Sequence, residues 1–160
     1  MLLELAQIFE RSATLTARLA QVVAPGDTPK TIIGRARDII AAFPERELVA
    51  TLNAHPRIGE DARALSEMSS REQGDDRDAA TLAELARLNA RYEQRFGFRF
   101  VVFVNGRSKS QIVPVLRDRL ERTRESELRT GIEEFLAISL DRLQRWTDRD
   151  AIRSAMDVDS

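Results

Sequence analysis

His55 is the only histidine of the chain, and it stands in the stretch AHPRIG directly before Pro56. An imidazole titrates near neutral pH, so a positioned histidine can serve as a general acid. A preceding helix must end near His55 because Pro56 cannot continue it, and Gly59 permits a tight bend soon afterwards. A helix C-terminus also favours the protonated imidazole. The alternative is a half-exposed histidine at a helix end with no chemical role.

The stretch SSREQ, residues 69–73, holds a second candidate. Ser69 with Glu72, and Ser70 with Gln73, match the S-x-x-E/Q capping box that is typical of a helix start. The structural interpretation is therefore a helix N-terminus. The functional interpretation uses the same geometry, because free backbone N–H groups there attract anions and Glu72 in the first turn can face a cleft.

Arg142, in FLAISLDRLQRW, is the third candidate. One face of this helix carries Ile132, Phe135, Leu136, Ser139, Leu143 and Trp146. Arg142 falls about 80° from the centre of that face, at its edge, whereas Arg145 and Asp141 point further outward. An arginine at such an edge usually reaches water. It can instead enter a cleft and hold a carboxylate by two parallel hydrogen bonds.

Composition restricts the possible chemistry. Lys plus Arg number 25 against 26 Asp plus Glu, so no net charge attracts nucleic acid or anionic lipid. Without cysteine there is no disulfide, thiolate or Cys-ligated zinc, and one histidine excludes a multi-histidine metal site, although not an all-carboxylate one. No run approaches the roughly 20 apolar residues of a membrane span, and the N-terminal stretch is typical of an amphipathic helix rather than a signal peptide. We therefore expect a cytoplasmic protein.

Hydrophobic spacing predicts an all-α protein, a single compact domain over residues 1–160 with six to eight helices. The predicted helices cover about 2–9, 15–23, 32–43, 44–54, 82–96, 109–122 and 125–147. Pro44 fits the first turn of its helix, and Gly97 is a suitable helix end. Residues 57–76 are polar and irregular, with room for one helical turn, and we expect the polar tail after Trp146 to end loosely.

One stretch, FRFVVFVNG at residues 98–106, is different. It predicts an extended segment near residues 98–105, ended by Asn-Gly and without a strand partner elsewhere in the chain. The N–H and C=O groups of a buried, unpaired segment must find partners. In a ligand site, the partner can be the ligand.

Four stretches in order, AHPRIG, SSREQ, FGFRFVVFVNGRS and EFLAISLDRL, span residues 54–143 and closely resemble the OHCU decarboxylase family. OHCU is 2-oxo-4-hydroxy-4-carboxy-5-ureidoimidazoline, and its decarboxylation is the last step of urate conversion to (S)-allantoin. The resemblance implies an all-helical enzyme that needs no cofactor or metal and usually forms a homodimer.

The resemblance also implies roles for individual residues. His55 would be the proton donor, with Glu72 and Arg142 as the other catalytic residues. Substrate contacts would come from Pro56, Ser69, Gln73, Val102, Phe103, Val104, Asn105 and Gly106. The chain departs from the family after Gln73, where it has EQGDDRDAA instead of Ala-Gly-Leu or similar, so the role of Gln73 stays open.

A phosphotransfer or adaptor helical bundle is the alternative from another class, since a histidine phosphotransfer domain too carries a lone histidine. Its histidine lies in the middle of a helix, on an exposed face, with a lysine or glycine a few residues further on. Pro56 is incompatible with a mid-helix position for His55, and no lysine lies near it.

Overall fold

The computed structural model describes residues 2–60, 67–73 and 78–158. These residues form helices and no strand, which confirms the predicted all-α class. The helices are α1 (Leu2–Ile8), α2 (Ala13–Val22), α3 (Pro29–Ala41), α4 (Glu45–Asn53), α5 (Glu67–Gln73), α6 (Ala79–Phe96), α7 (Lys109–Leu120) and α8 (Arg124–Val158).

The chain divides into two compact units. The central unit, Phe43–Phe135, contains α4 to α7 and the beginning of α8. The terminal unit consists of the described residues up to Ala42 and from Leu136 onward, which are α1 to α3 and the remainder of α8. The single domain expected over residues 1–160 stays a prediction.

In the terminal unit, α1 packs against α2 and α2 against α3. Between α1 and α2 the chain reverses at Glu10 and Arg11, which have φ angles of 44° and 58°. Left-handed backbone at two consecutive non-glycine residues is costly, so the surrounding contacts must hold this turn in place. Its Glu10 side chain is buried.

In the central unit, α6 packs against α7. Pro44 is the N-cap of α4, one residue outside the helix rather than in its first turn. Gly97 ends α6 with a φ of 80°, as the sequence predicts. Directly after it, the side chains of Phe98 and Phe100 pack around the ring of Tyr92.

Two predictions about helix ends are wrong. Ser69 and Ser70 lie inside α5, and Glu72 lies in its last turn, so SSREQ is not a capping box. A capping serine needs a non-helical backbone, whereas both serines here are helical. The tail after Trp146 is also not loose, because α8 continues to Val158. Residues 147–158 contain no glycine or proline that would end a helix.

Candidate active site

His55 lies directly after α4, which ends at Asn53. Its backbone N–H donates to the Leu52 carbonyl at 3.2 Å, so it closes the last turn of the helix. Its side chain is buried, with the residue 5% exposed, and the imidazole meets the Phe135 ring edge-on at 5.2 Å between centroids. The alternative of a half-exposed histidine is therefore wrong. Pro56, which follows, is half-buried.

The side chain of Gln73 joins α5 to the turn after His55. Its Oε1 accepts from the Gly59 N–H at 2.9 Å, and its Nε2 donates to the Arg57 carbonyl at 3.2 Å. The SSREQ and HPRIG stretches, predicted separately, are thus brought together. One amide hydrogen and one lone pair of Gln73 remain for a ligand beyond these two bonds, and its substrate contact stays a prediction.

The other two candidates on α5 differ in exposure. Ser69 is buried, and Glu72 is half-buried in the last helical turn. The pairing of Glu72 with His55 and the substrate contact of Ser69 stay predictions. The helix N-terminus invoked for anion binding is not available to either residue, because α5 begins at Glu67.

Lys109 is a residue of this region that the sequence did not indicate. It is the first residue of α7 and only 2% exposed, and its Nζ donates to the Gln73 carbonyl at 3.2 Å. A lysine is almost never buried without a partner. The only signal in the sequence is the rarity of lysine, with Lys30 the one other example.

The segment after α6 is tied to the same turn by Arg99. The Arg99 N–H donates to Asn53 Oδ1 at 3.0 Å, and Nη1 donates to the His55 carbonyl at 2.9 Å. The predicted extended segment is not a strand, but it lies beside the histidine turn. Three of the four stretches that carry the family resemblance therefore meet in the central unit.

Arginine side chains donate hydrogen bonds to backbone carbonyls of this segment. Arg119 Nη1 donates to Val101 at 2.6 Å, and Arg107 donates to Phe103 at 2.6 Å and to Val104 at 3.0 Å. These carbonyls therefore have partners within the protein and need no ligand to satisfy them. Each guanidinium can serve more than one acceptor because it donates in several directions.

The N–H groups of the same segment behave differently. No described residue accepts a hydrogen bond from the N–H of residues 102–106. Val102 and Val104 are buried, whereas Asn105 and Gly106 form an exposed turn with φ angles of 50° and 77°. Buried donors need acceptors, and the substrate contact of these residues stays a prediction.

Further contacts brace the turn that follows His55. Arg57 donates twice to Glu93 of α6, at 2.8 Å each, and these bonds raise the pKa of Arg57 above its ordinary value. Asn89 Nδ2 donates to the Ile58 carbonyl at 3.1 Å. Gly59 has a φ of 79°, which favours glycine. The histidine is thus held by a turn with several independent braces.

Arg142 lies in the terminal unit and is 3% exposed. Its Nη1 contacts Glu10 Oε2 at 2.6 Å and the Gln7 carbonyl at 3.0 Å. The expectation that it reaches water is wrong, because the turn after α1 supplies a buried carboxylate. Arg145 is exposed, as predicted, and it forms an ion pair with Asp141. A substrate contact of Arg142 stays a prediction.

The part of the chain that the structure describes contains no group of three or more His, Asp or Glu side chains placed to hold a metal ion. None of its helices is long and apolar enough to cross a membrane.

The fold and site define an all-α protein whose buried loop histidine is braced by a short acidic helix and an irregular apolar segment. A profile of the OHCU decarboxylase family matches residues 2–144, and the chain belongs to this family. The match includes residues of both units.

Relatives agree with this membership. A uric acid degradation bifunctional protein of Bacillus subtilis is 30% identical over 143 residues, which are 87% of this chain and 28% of that protein. A 2-oxo-4-hydroxy-4-carboxy-5-ureidoimidazoline decarboxylase of Haloferax volcanii is 27% identical, covering 83% of this chain and 80% of the relative. The chain thus spans little more than a quarter of the bifunctional relative.

A solved structure has the same fold. A crystal structure of OHCU decarboxylase in the presence of (S)-allantoin superposes with a TM-score of 0.74 and 24% identity, covering 89% of this chain and 96% of that one. Family membership argues against a phosphotransfer domain. The burial of His55 in a loop does so independently, because a phosphorylated histidine must be accessible.

Proposed function

We propose that this protein decarboxylates OHCU to (S)-allantoin and CO2, the last step of urate conversion to allantoin. The observation that carries the proposal is the convergence of the HPRIG, SSREQ and 98–106 stretches around buried His55, in a chain that matches the family over residues 2–144. A buried imidazole in a braced turn suits delivery of a proton to one position.

The substrate's chemistry defines what the enzyme must do. One ring carbon of OHCU carries a carboxylate and a hydroxyl, beside a carbon–nitrogen double bond. When the bond to the carboxylate breaks, its electron pair forms a carbon–carbon double bond, and the ring nitrogen takes up a proton. The resulting enol loses its hydroxyl proton as the neighbouring carbon gains one. Because the substrate supplies its own electron sink, the proposal requires no cofactor.

The face on which carbon is protonated determines whether (S)-allantoin or a racemate forms. We assign this protonation to His55, with Glu72 as its partner for the hydroxyl proton. A carboxylate beside an imidazole favours its charged form. The N–H groups of residues 102–106 would hold the ureido and ring oxygens, and Arg142 would orient the leaving carboxylate.

Pro56, Ser69 and Gln73 would line the substrate in this proposal. Gln73 also holds the turn around Gly59, so it supports the shape of the site, and Ser69 is buried in α5.

We further propose a cytoplasmic homodimer. This rests on the family resemblance and on the metabolic role of the reaction. Light scattering on the purified protein tests the dimer, and a molar mass of one chain of 18.1 kDa would contradict it.

The experiment that tests the function uses OHCU made fresh by urate oxidase and hydroxyisourate hydrolase, with circular dichroism to follow optically active allantoin. Addition of this protein should produce the (S) signal, whereas unaided decay gives a racemate. His55→Asn and Glu72→Gln should each reduce turnover by about 10²- to 10⁴-fold. The chain has no second histidine that could substitute.

Glu125→Gln is the matched control, because Glu125 is an exposed carboxylate of the same unit. It should turn over OHCU like the wild type. A His55→Asn variant that keeps more than about a tenth of wild-type turnover would remove His55 from the mechanism. A wild-type protein that leaves the allantoin racemic would contradict the function itself.

A further inference from the structure

A buried ion pair lies directly behind the segment that is proposed to hold the substrate. Arg119 of α7 donates from Nε to Glu127 Oε1 of α8 at 2.7 Å, and the Tyr92 hydroxyl donates to the same oxygen at 2.6 Å. The guanidinium also lies over the Phe100 ring, 4.6 Å from its centroid. Glu127 is completely buried and Arg119 nearly so.

This ion pair is not explained by a gain in stability. Arg119 Nη2 and Glu127 Oε2 are buried and have no hydrogen-bond partner among the described residues. Glu127 Oε2 lies 4.0 Å from Arg122 Nη1, beyond hydrogen-bond distance. Burying two charges carries a large desolvation penalty, and apolar residues of similar volume in their place are often neutral or stabilising. The pair therefore needs another explanation.

The explanation lies in the third contact of Arg119. Its Nη1 donates to the Val101 carbonyl at 2.6 Å, so the guanidinium joins α8 to the irregular segment. Val101 immediately precedes residues 102–106, whose N–H groups have no acceptor among the described residues. A segment without helix or strand has no ladder to set its peptide planes, so side chains must do so.

We propose that Arg119 is a positioning residue for the decarboxylation reaction. By holding the Val101 carbonyl towards its own guanidinium, it turns the following N–H groups towards the substrate. Glu127 in turn orients the guanidinium, and the Tyr92 hydroxyl orients Glu127. The inference rests on the proposed function, because it holds that the bond from Arg119 to the Val101 carbonyl serves substrate binding.

The test replaces all three polar members together with apolar residues of similar size, as Tyr92→Phe/Arg119→Met/Glu127→Leu. The readouts are thermal midpoint, hydrogen exchange of the buried amides of Val101, Val102 and Val104, and KM and kcat for fresh OHCU. We expect a folded protein in which these buried amides exchange about tenfold faster or more. KM should rise about tenfold or more, with a smaller change in kcat.

Arg119→Lys is the second variant, should the triple replacement fail to fold. Lysine keeps the charge beside Glu127 but lacks the planar fork that holds Glu127 and Val101 at once. It should show the same rise in KM. Arg117→Met is the control, because Arg117 lies on the same helix but is exposed and pairs with Glu84 instead, and it should change neither KM nor exchange.

A folded variant with unchanged KM overturns the proposal, whether or not the amides exchange faster. An unchanged exchange rate overturns it as well. If the wild type itself does not turn over OHCU, the proposed function fails, and the exchange measurement still decides whether Arg119 orders the segment.

Discussion

His55 and Arg142 are both almost completely buried, although the sequence suggests a helix end for one and a helix edge for the other. At His55 the burial comes from Phe135 and from a turn held by hydrogen bonds to its backbone. At Arg142 it comes from the carboxylate of Glu10. Removing one partner of a buried ion pair destabilises the folded state, so Arg142 contributes to stability whatever its role towards the substrate.

Arg142→Lys should therefore affect both stability and activity. Lysine keeps the charge, but its shorter side chain must bring the ammonium to the position where Arg142 Nη1 bonds both Glu10 and the Gln7 carbonyl. We expect a loss of about 1–2 kcal/mol in the free energy of unfolding. If Arg142 also orients the substrate, kcat/KM measured well below the melting temperature should fall about tenfold or more.

Arg145→Lys is the control on the same helix. Arg145 is exposed and pairs with Asp141 on the surface, so the change should alter neither stability nor turnover. If the Arg142→Lys protein is less stable but fully active, Arg142 has a structural role only and does not orient the substrate.

At the level of the elements, the turn that begins at His55 is hydrogen-bonded to four parts of the chain. These are α4, α5, α6 and the segment after α6. Gly59 is at the centre of this turn. It donates to Gln73, and its φ of 79° is unfavourable for residues with a Cβ atom. A Cβ on Gly59 would also lie 3.3 Å from Leu85 Cδ1 of α6. The turn therefore combines a special backbone conformation with close packing.

Gly59→Ala should cost more stability than Gly97→Ala. Both glycines have nearly the same positive φ, 79° and 80°, but a Cβ at Gly97 would meet nothing within 4 Å. We expect about 1 kcal/mol of backbone strain at Gly97 and a further loss at Gly59 from the contact with Leu85. Thermal unfolding of the two variants measures the difference.

Turnover of OHCU separates the same two variants. Only Gly59→Ala disturbs the turn that carries His55, so only this variant should lose activity. Equal stability and equal activity in both would mean that the turn adapts without moving the histidine.

At the scale of the whole molecule, one aromatic side chain reports on the integrity of the central unit. Tyr92 is the only tyrosine of the chain and is fully buried. Burial, followed by its hydrogen bond to Glu127, raises the pKa of Tyr92 above its ordinary value. The folded state thus holds this proton more tightly than the unfolded chain does, and its contribution to stability is complete at neutral pH.

The protein should lose stability as the pH rises above about 10, the ordinary pKa of tyrosine. Each pH unit beyond that should remove about 1.4 kcal/mol, or about 3–6 °C in melting temperature. Phenolate absorbance should appear together with unfolding rather than before it. Tyr92→Phe should abolish the absorbance change and flatten the pH dependence in this range. Phenolate absorbance near pH 10 from a folded protein would contradict the prediction.

The sequence by itself determined the helices whose signals are local. Gly97 ends α6 because glycine adopts positive φ without strain, and α4 must stop before Pro56. The apolar spacing of α6 and α7 likewise predicts their buried faces. The ordered stretches from AHPRIG to EFLAISLDRL also identify the family, since the residues themselves carry the resemblance.

Only the tertiary structure decided where polar groups find partners. Ser69 and Glu72 match a capping box in the sequence, yet they lie inside α5 and in its last turn. Arg142 pairs with Glu10, 132 residues away, and Lys109 reaches the Gln73 carbonyl across 36 residues. A hydrogen bond or ion pair depends on distances of about 3 Å between atoms, and residue spacing constrains such distances only within a helix or a turn. Between distant stretches, packing of the core sets them.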